Sequence, residues 1–318
     1  MREIGGYIEL DTYRLPLLHE GAAALNSGRN ALACLLRARG IRRLWIPRFL
    51  CDSVPEVCKR EGVPYSFYRV GPDFLPAEDV DLGEGEWFYF VNYYSQFDND
   101  IIAGWVRRYG RVIVDNAQSY FQPPLPGVDT LYTCRKYFGV ADGAFLYTDA
   151  RLPEELPRDE SFDRMRFLLG RFERGANEFY AEYTANNRRF ADEPVKRMSA
   201  LTDNLLRGID YRAAEERRRE NCRFLHGRLG EINLLRGLRE GTFMYPLMLA
   251  DGASLRRRLQ EERIYIPTLW PAVLEQTAPE DTEYRMALDI LPLPIDQRYG
   301  PDEMETLVTA IQRYRHPD

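Results

Sequence analysis

Lysine is nearly absent from this sequence. Only Lys59, Lys136 and Lys196 occur among 43 basic residues, and the rest are arginine. A lysine that remains against such a bias is there either by chance or because a guanidinium cannot do its chemistry. Histidine is as scarce, and His19, His226 and His316 lie far apart. The cysteines Cys34, Cys51, Cys58, Cys134 and Cys222 are odd in number. Their spacings fit neither a disulfide framework nor a zinc site. No metal centre is expected, and a reducing, cytoplasmic setting is. No apolar run approaches the roughly 20 residues that span a bilayer. The acidic start MREIGGYIELD lacks the apolar stretch of a signal peptide. An excess of positive charge is also missing. With 49 acidic residues the net charge is -6, which argues against non-specific nucleic-acid binding. The patterns GxSxG, HExxH, GxGxxG and GxxxxGK[ST] do not occur.

What is present suits a globular chain. Its 318 residues are 45% apolar and 29% charged, enough for about two domains at roughly 150 residues each. Leu32, Leu35 and Leu36 share a face of a helix predicted over 30–39. Strands are predicted at 44–46, 65–70, 87–91, 111–114, 130–133 and 144–148, with helices at 54–60 and 100–109. Short apolar strands alternating with helices predict an α/β fold with a mostly parallel sheet covered on both faces. Residues 162–235 read as almost continuous helix, rich in Arg and Glu. A strand at 243–249, a helix at 254–262, a strand at 288–292 and a helix at 301–314 follow. They suggest a smaller α+β domain. The expected division is 1–210 and 211–318.

Three places in this pattern carry chemistry. Lys136 lies between two predicted strands among Tyr132, Tyr137 and Phe138, which suggests an enclosed amine. Burial disfavours the charged ammonium, and a neutral amine attacks aldehydes. The alternative is an ordinary lysine in a surface loop. Asp115 directly follows the apolar strand VIV, where a carboxylate can meet a metal, a ribose or a protonated ring nitrogen, or simply cap a helix. Asn92 occupies a similar strand end. Ser27, Gly28, Arg29 and Asn30 open a helix, whose free backbone N–H groups suit an anion or are merely capped.

Taken in order, five stretches resemble the DegT/DnrJ/EryC1/StrS family of sugar aminotransferases. LNSGRNALACLL, from Leu25, is similar to the family's segment at the cofactor phosphate. IPRFLCDSVPEVCKREGVPYSFYRV is similar to the helix and strand that follow it. VIVDNAQSY, from Val112, resembles its Glu-Asp-x-Ala-Gln segment. YTCRKYFGVADGAFLYTD resembles the stretch around the cofactor lysine, and KRMSALTDNLLRGIDY the Arg-Met helix after it. The resemblance covers roughly half the chain. It implies the pyridoxal-phosphate transferase fold type I and pyridoxal 5'-phosphate as cofactor. Lys136 would carry that cofactor and shuttle the proton. Asp115 would face the pyridine nitrogen, and Gln118 would sit beside the ring. Ser27, Gly28, Arg29 and Thr133 would hold the phosphate. Asn186 or Asn187 would reach a partner's cofactor across a homodimer.

The sequence departs from the family at several points. Few residues precede the phosphate segment, Arg29 replaces its threonine, and Leu131 stands where relatives have a serine. Cys51 stands where they stack an aromatic residue, a place that Phe49, Tyr93 or Tyr94 could take. The expected activity is transfer of an amino group from an amino acid such as glutamate to a keto-sugar, possibly nucleotide-linked, in polysaccharide or amino-sugar biosynthesis. Sugar dehydration by the same cofactor, or a binding protein that retains the fold without turnover, are the alternatives.

Overall fold

A computed structural model describes residues 4–315. The first strand, β1 (Ala23–Leu25), leads into α1 (Gly28–Arg39). Ser27 opens α1 by accepting a hydrogen bond from the Asn30 amide at 3.2 Å, and Gly40 closes it in the left-handed conformation. The chain continues through β2 (Arg43–Pro47), α2 (Ser53–Arg60), β3 (Tyr65–Tyr68), β4 (Glu86–Val91) and α3 (Asn99–Tyr109). Strands β5 (Val112–Asp115), β6 (Asp129–Thr133) and β7 (Ala144–Tyr147) complete the sheet. Its strand order is β1-β7-β6-β5-β4-β2-β3. Five neighbouring strands, β6 to β3, run parallel, while β7 is antiparallel to both β6 and β1. The mostly parallel sheet expected from the pattern is therefore present. Val91, Asp115 and Leu131 lie in register on adjacent strands, so β4, β5 and β6 end close together. Such carboxyl ends are where open α/β sheets bind their ligands.

The expected continuous helix over 162–235 is broken. It consists of α4 (Arg166–Glu173), α5 (Tyr180–Asp192), α6 (Ala200–Leu206) and α7 (Tyr211–Leu229). Pro194 cannot continue α5, and Ser199 caps α6 through the Thr202 amide. The chain between them is extended and pairs with the start of the sheet. Asn26 N donates to Lys196 O at 3.0 Å, and Met198 N to Ala24 O at 3.1 Å. Backbone pairing thus overrides the helical composition here.

Beyond α7, β8 (Met244–Met248) pairs antiparallel with β9 (Ile290–Pro294). Between them lie α8 (Gly252–Glu261), α9 (Pro271–Gln276) and α10 (Thr282–Asp289), and α11 (Pro301–Arg315) ends the described chain. The strand expected at 288–292 begins two residues later because α10 runs to Asp289. Leu225 of α7 joins Leu247, Leu259, Leu293, Val308 and Ile311 in a second apolar core, drawn from the C-terminal half of α7 and the chain after it. Trp270, Val273 and Met286, from α9 and its flank and α10, instead join the core of the large sheet. No helix of the described residues is long and apolar enough to cross a membrane.

Candidate active site

Asp115 is the last residue of β5 and is 8% exposed. It caps no helix. Its Oδ1 accepts from Ala117 N at 2.8 Å, and its Oδ2 accepts from the Tyr89 hydroxyl at 2.9 Å. Burial pushes the Asp115 carboxyl above its ordinary range; the charge of Lys136 opposes this, followed by the Ala117 amide and Tyr89. Tyr89 is itself buried, and burial together with the Asp115 charge keeps its hydroxyl protonated as a donor. The structure therefore brings Lys136 and Asp115 into electrostatic reach of each other. Asn92, at the neighbouring strand end, is occupied otherwise. Its side chain accepts from Phe97 N and donates to Phe97 O, closing a loop.

Lys136 corrects one expectation, because its side chain is exposed rather than enclosed. Tyr132, Tyr137 and Phe138 are buried in the core, so they surround the backbone of Lys136 and not its amine. The ammonium lies 5.7 Å from the centre of the Phe243 ring. Access suits an amine that must meet a ligand entering from outside.

The helix-opening residues meet the end of β6. A Cβ added at Gly28 would lie 2.6 Å from Thr133 Cγ2, so α1 and β6 approach as closely as a glycine permits. Thr133 Oγ1, Arg29 Nε and Arg135 Nε are buried without a hydrogen-bond partner among the described residues. Such orphaned polar atoms are rare in native proteins and call for a ligand or water. Arg135 also feels the charge of Arg29. Burial pulls its guanidinium down to about 10, with the Tyr183 hydroxyl opposing and the like charges of Arg29 and Arg164 adding to the fall. Together these donors can receive an anion. Arg135 was missed from sequence, although it adjoins Lys136, because it is one arginine among forty. The departures Leu131 and Cys51 take other surroundings. Leu131 is in the core, and Cys51 Sγ lies 2.8 Å from Ser53 Oγ.

Gln118 is buried and accepts from Tyr94 N at 2.7 Å through Oε1, while its carbonyl accepts from Ser95 Oγ at 2.5 Å. Both Tyr94 (φ 53°) and Ser95 (φ 60°) are left-handed without being glycine. Strain of this kind persists only where neighbours over-determine it. Of the three aromatic candidates, Phe49 and Tyr93 close an aromatic group with Phe74 and Trp270. Tyr94 reaches beyond that group to Phe243, at 6.3 Å between ring centres. Asn186 donates to Ala141 O, and Asn187 accepts from Arg135, so both asparagines are engaged within their own chain. A hollow of about 480 Å³ lined by Cys34, Arg37, Leu152, Leu156 and Val195 contains none of the candidate site residues. No cluster of three or more metal-ligating side chains occurs among the described residues.

No protein-family model matches the sequence, and no curated protein matches it. Solved structures do match. A DegT DnrJ EryC1 StrS aminotransferase from Brucella abortus is 17% identical, with a TM-score of 0.59 over 94% of this chain and 87% of its own. The sugar aminotransferase CalS13 from Micromonospora echinospora is 19% identical, with a TM-score of 0.61 over 92% and 87%. NtdA from Bacillus subtilis, solved with bound cofactor PMP, is 13% identical, with a TM-score of 0.62 over 92% of this chain and 72% of its own. The chain therefore has the fold of these aminotransferases, fold type I of the pyridoxal-phosphate transferases.

Proposed function

We propose that the chain is a pyridoxal-phosphate-dependent aminotransferase that moves an amino group from an amino acid to a keto-sugar. One observation carries this reading. An accessible lysine lies within electrostatic reach of a buried carboxylate at a strand end, while orphaned donors collect where α1 meets β6. That donor set fits a ligand with a phosphate at one end and a protonated ring nitrogen at the other. The solved structure of NtdA with PMP supports the same cofactor class.

When bound, pyridoxal phosphate supplies an aldehyde for an amine and a ring that takes up electrons from the substrate Cα. The chain supplies the rest. Thr133 Oγ1, Arg29, Arg135 and the open start of α1 hold the phosphate. Asp115 keeps the ring nitrogen protonated, with Tyr89 and the Ala117 amide fixing its two oxygens. Lys136 Nζ would be the amine that holds the cofactor and the base that carries the Cα proton. Gln118 holds the strained Tyr94–Ser95 turn through the Tyr94 amide and the Ser95 hydroxyl. The finer assignments belong to the same reading. They are residues 1–210 as the cofactor unit, 211–318 as the smaller one, a cytoplasmic homodimer, and a place in polysaccharide or amino-sugar synthesis.

The test is an absorption spectrum after adding pyridoxal phosphate, followed by borohydride reduction and peptide mapping. A reduced adduct on Lys136, with a band that shifts on adding glutamate, is expected. Lys136→Arg should abolish the adduct, because a guanidinium stays protonated. An undiminished adduct in that variant would sink the assignment.

A further inference from the structure

We propose that Arg218 is a positioning residue for Lys136, holding from α7 both the backbone that follows the lysine and the segment entering β8 that carries its aromatic neighbour. This rests on the reading of Lys136 as the cofactor-bearing amine. Arg218 is 1% exposed. Its Nη2 donates to Tyr137 O at 3.2 Å, one residue past Lys136. Nη1 donates to Thr242 O at 2.8 Å and to Phe243 O at 3.4 Å. Nε donates to Gln297 Oε1 at 2.8 Å, and Gln297 Nε2 in turn donates to Tyr137 O at 2.9 Å. The Arg218 guanidinium also lies 4.5 Å from the centre of the Tyr137 ring. Tyr137 stands 5.9 Å from Phe243, whose ring lies 5.7 Å from the Lys136 ammonium. Two cations thus bracket one pair of rings.

None of the hydrogen-bond acceptors of Arg218 is a carboxylate. The acid whose charge reaches it, Asp296, is held bidentately by Arg298 at 2.6 and 2.9 Å. A buried guanidinium answered only by neutral acceptors is a costly way to gain stability, since an apolar side chain of similar volume serves as well or better. The planar fork, in contrast, reaches three separate segments at once, which neither an ammonium nor an apolar side chain can do. Those segments are the Lys136 loop, the entry to β8 and the loop before α11. The fork therefore fixes Lys136 relative to Phe243.

The test compares the full-length chain with Arg218→Met, Arg218→Lys and Gln297→Leu. Two quantities are read. One is the rate at which added pyridoxal phosphate forms the borohydride-reducible adduct on Lys136. The other is amide hydrogen exchange in the unloaded protein. Arg218→Met should slow adduct formation about tenfold or more, as expected for a misplaced reacting group. Exchange should quicken over residues 136–140 and stay unchanged in β5. Arg218→Lys should not restore the rate, and Gln297→Leu should shift both quantities in the same direction by less. An unchanged adduct rate in folded Arg218→Met overturns the proposal. So does exchange that rises equally in β5, the mark of general loosening. Should Arg218→Met not fold, an unchanged 136–140 segment in Gln297→Leu overturns it. A natural chain that forms no adduct on Lys136 overturns the functional reading itself, a distinct result.

Discussion

Asp115 is a carboxylate held where it is costly. Burial raises its carboxyl, and only two donors and the charge of Lys136 offset that effect. Asparagine has the same shape. Its oxygen can accept from Ala117 N, and its amide can donate to the Tyr89 oxygen. Asp115→Asn should therefore leave the unloaded protein at least as stable as the natural chain. It should also remove most of the stabilisation that pyridoxal phosphate gives, because the ring nitrogen loses its charged partner. Thermal unfolding with and without the cofactor checks both halves. A lower melting temperature in the unloaded variant would count against this account of the carboxylate. Asp115 was legible in the sequence because it ends an apolar strand, and Lys136 because lysine is so rare. Tyr89 and Arg135 were not. Tyr89 hides in the apolar run WFYFV, and only the pleat decides that its hydroxyl meets Asp115. The exposure of Lys136 was missed because sequence neighbours set the surroundings of a backbone, not the direction of a long side chain.

The elements that build the site are those whose pattern is local. Every strand of the large sheet from β2 to β7 lies close to its expected place, since runs such as WFYFV and RVIV admit little else. The break between α5 and α6 depends on pairing with a strand some 170 residues earlier, which no helical period reveals. α9 and α10 were missed because they are short and their apolar residues serve the core of the large sheet. The contact of α1 with β6 is also tertiary, and it carries its own prediction. A serine at Gly28 would drive its Cβ against Thr133 Cγ2, so either Thr133 or the start of α1 must move. Gly28→Ser should cost about 1–3 kcal/mol in urea unfolding, the usual range for overpacking. It should also weaken pyridoxal phosphate more than pyridoxal, which lacks the phosphate. Gly104→Ala, mid-helix in α3, is the control. Its Cβ would have no atom nearer than 4.0 Å, so it should stabilise by up to about 1 kcal/mol. Equal weakening of both ligands by Gly28→Ser would place the phosphate elsewhere.

At the scale of the whole molecule, acid sensitivity follows from one histidine ahead of the first strand. His19 is 2% exposed, with its ring 4.0 Å from that of Tyr132. Its Nε2 lies 2.8 Å from Tyr120 O, so that nitrogen carries the proton, and Nδ1 faces the Tyr147 hydroxyl at 3.3 Å. Burial lowers its pKa from 6.5 to about 4, with the bond to Tyr120 opposing. Between those values the unfolded chain binds a proton that the folded chain refuses. Stability is then complete above pH 6.5 and falls as the pH drops towards 4. The difference amounts to about 3 kcal/mol, a large part of the 5–15 kcal/mol typical of a folded protein. The carboxylates held low by arginines, such as Asp159 and Asp296, lose their contribution only as pH falls below the ordinary carboxylate range. Asp115, raised by burial, acts in the opposite sense and is relieved by acid. Of the other histidines, His226 is exposed, and His316 lies outside the described residues. The slope between pH 6.5 and 4 is thus assigned to His19. Urea midpoints measured across this range should fall steadily in the natural chain and stay nearly level in His19→Gln, whatever that substitution costs at pH 7. A slope that survives the substitution would show that another buried base controls the acid response.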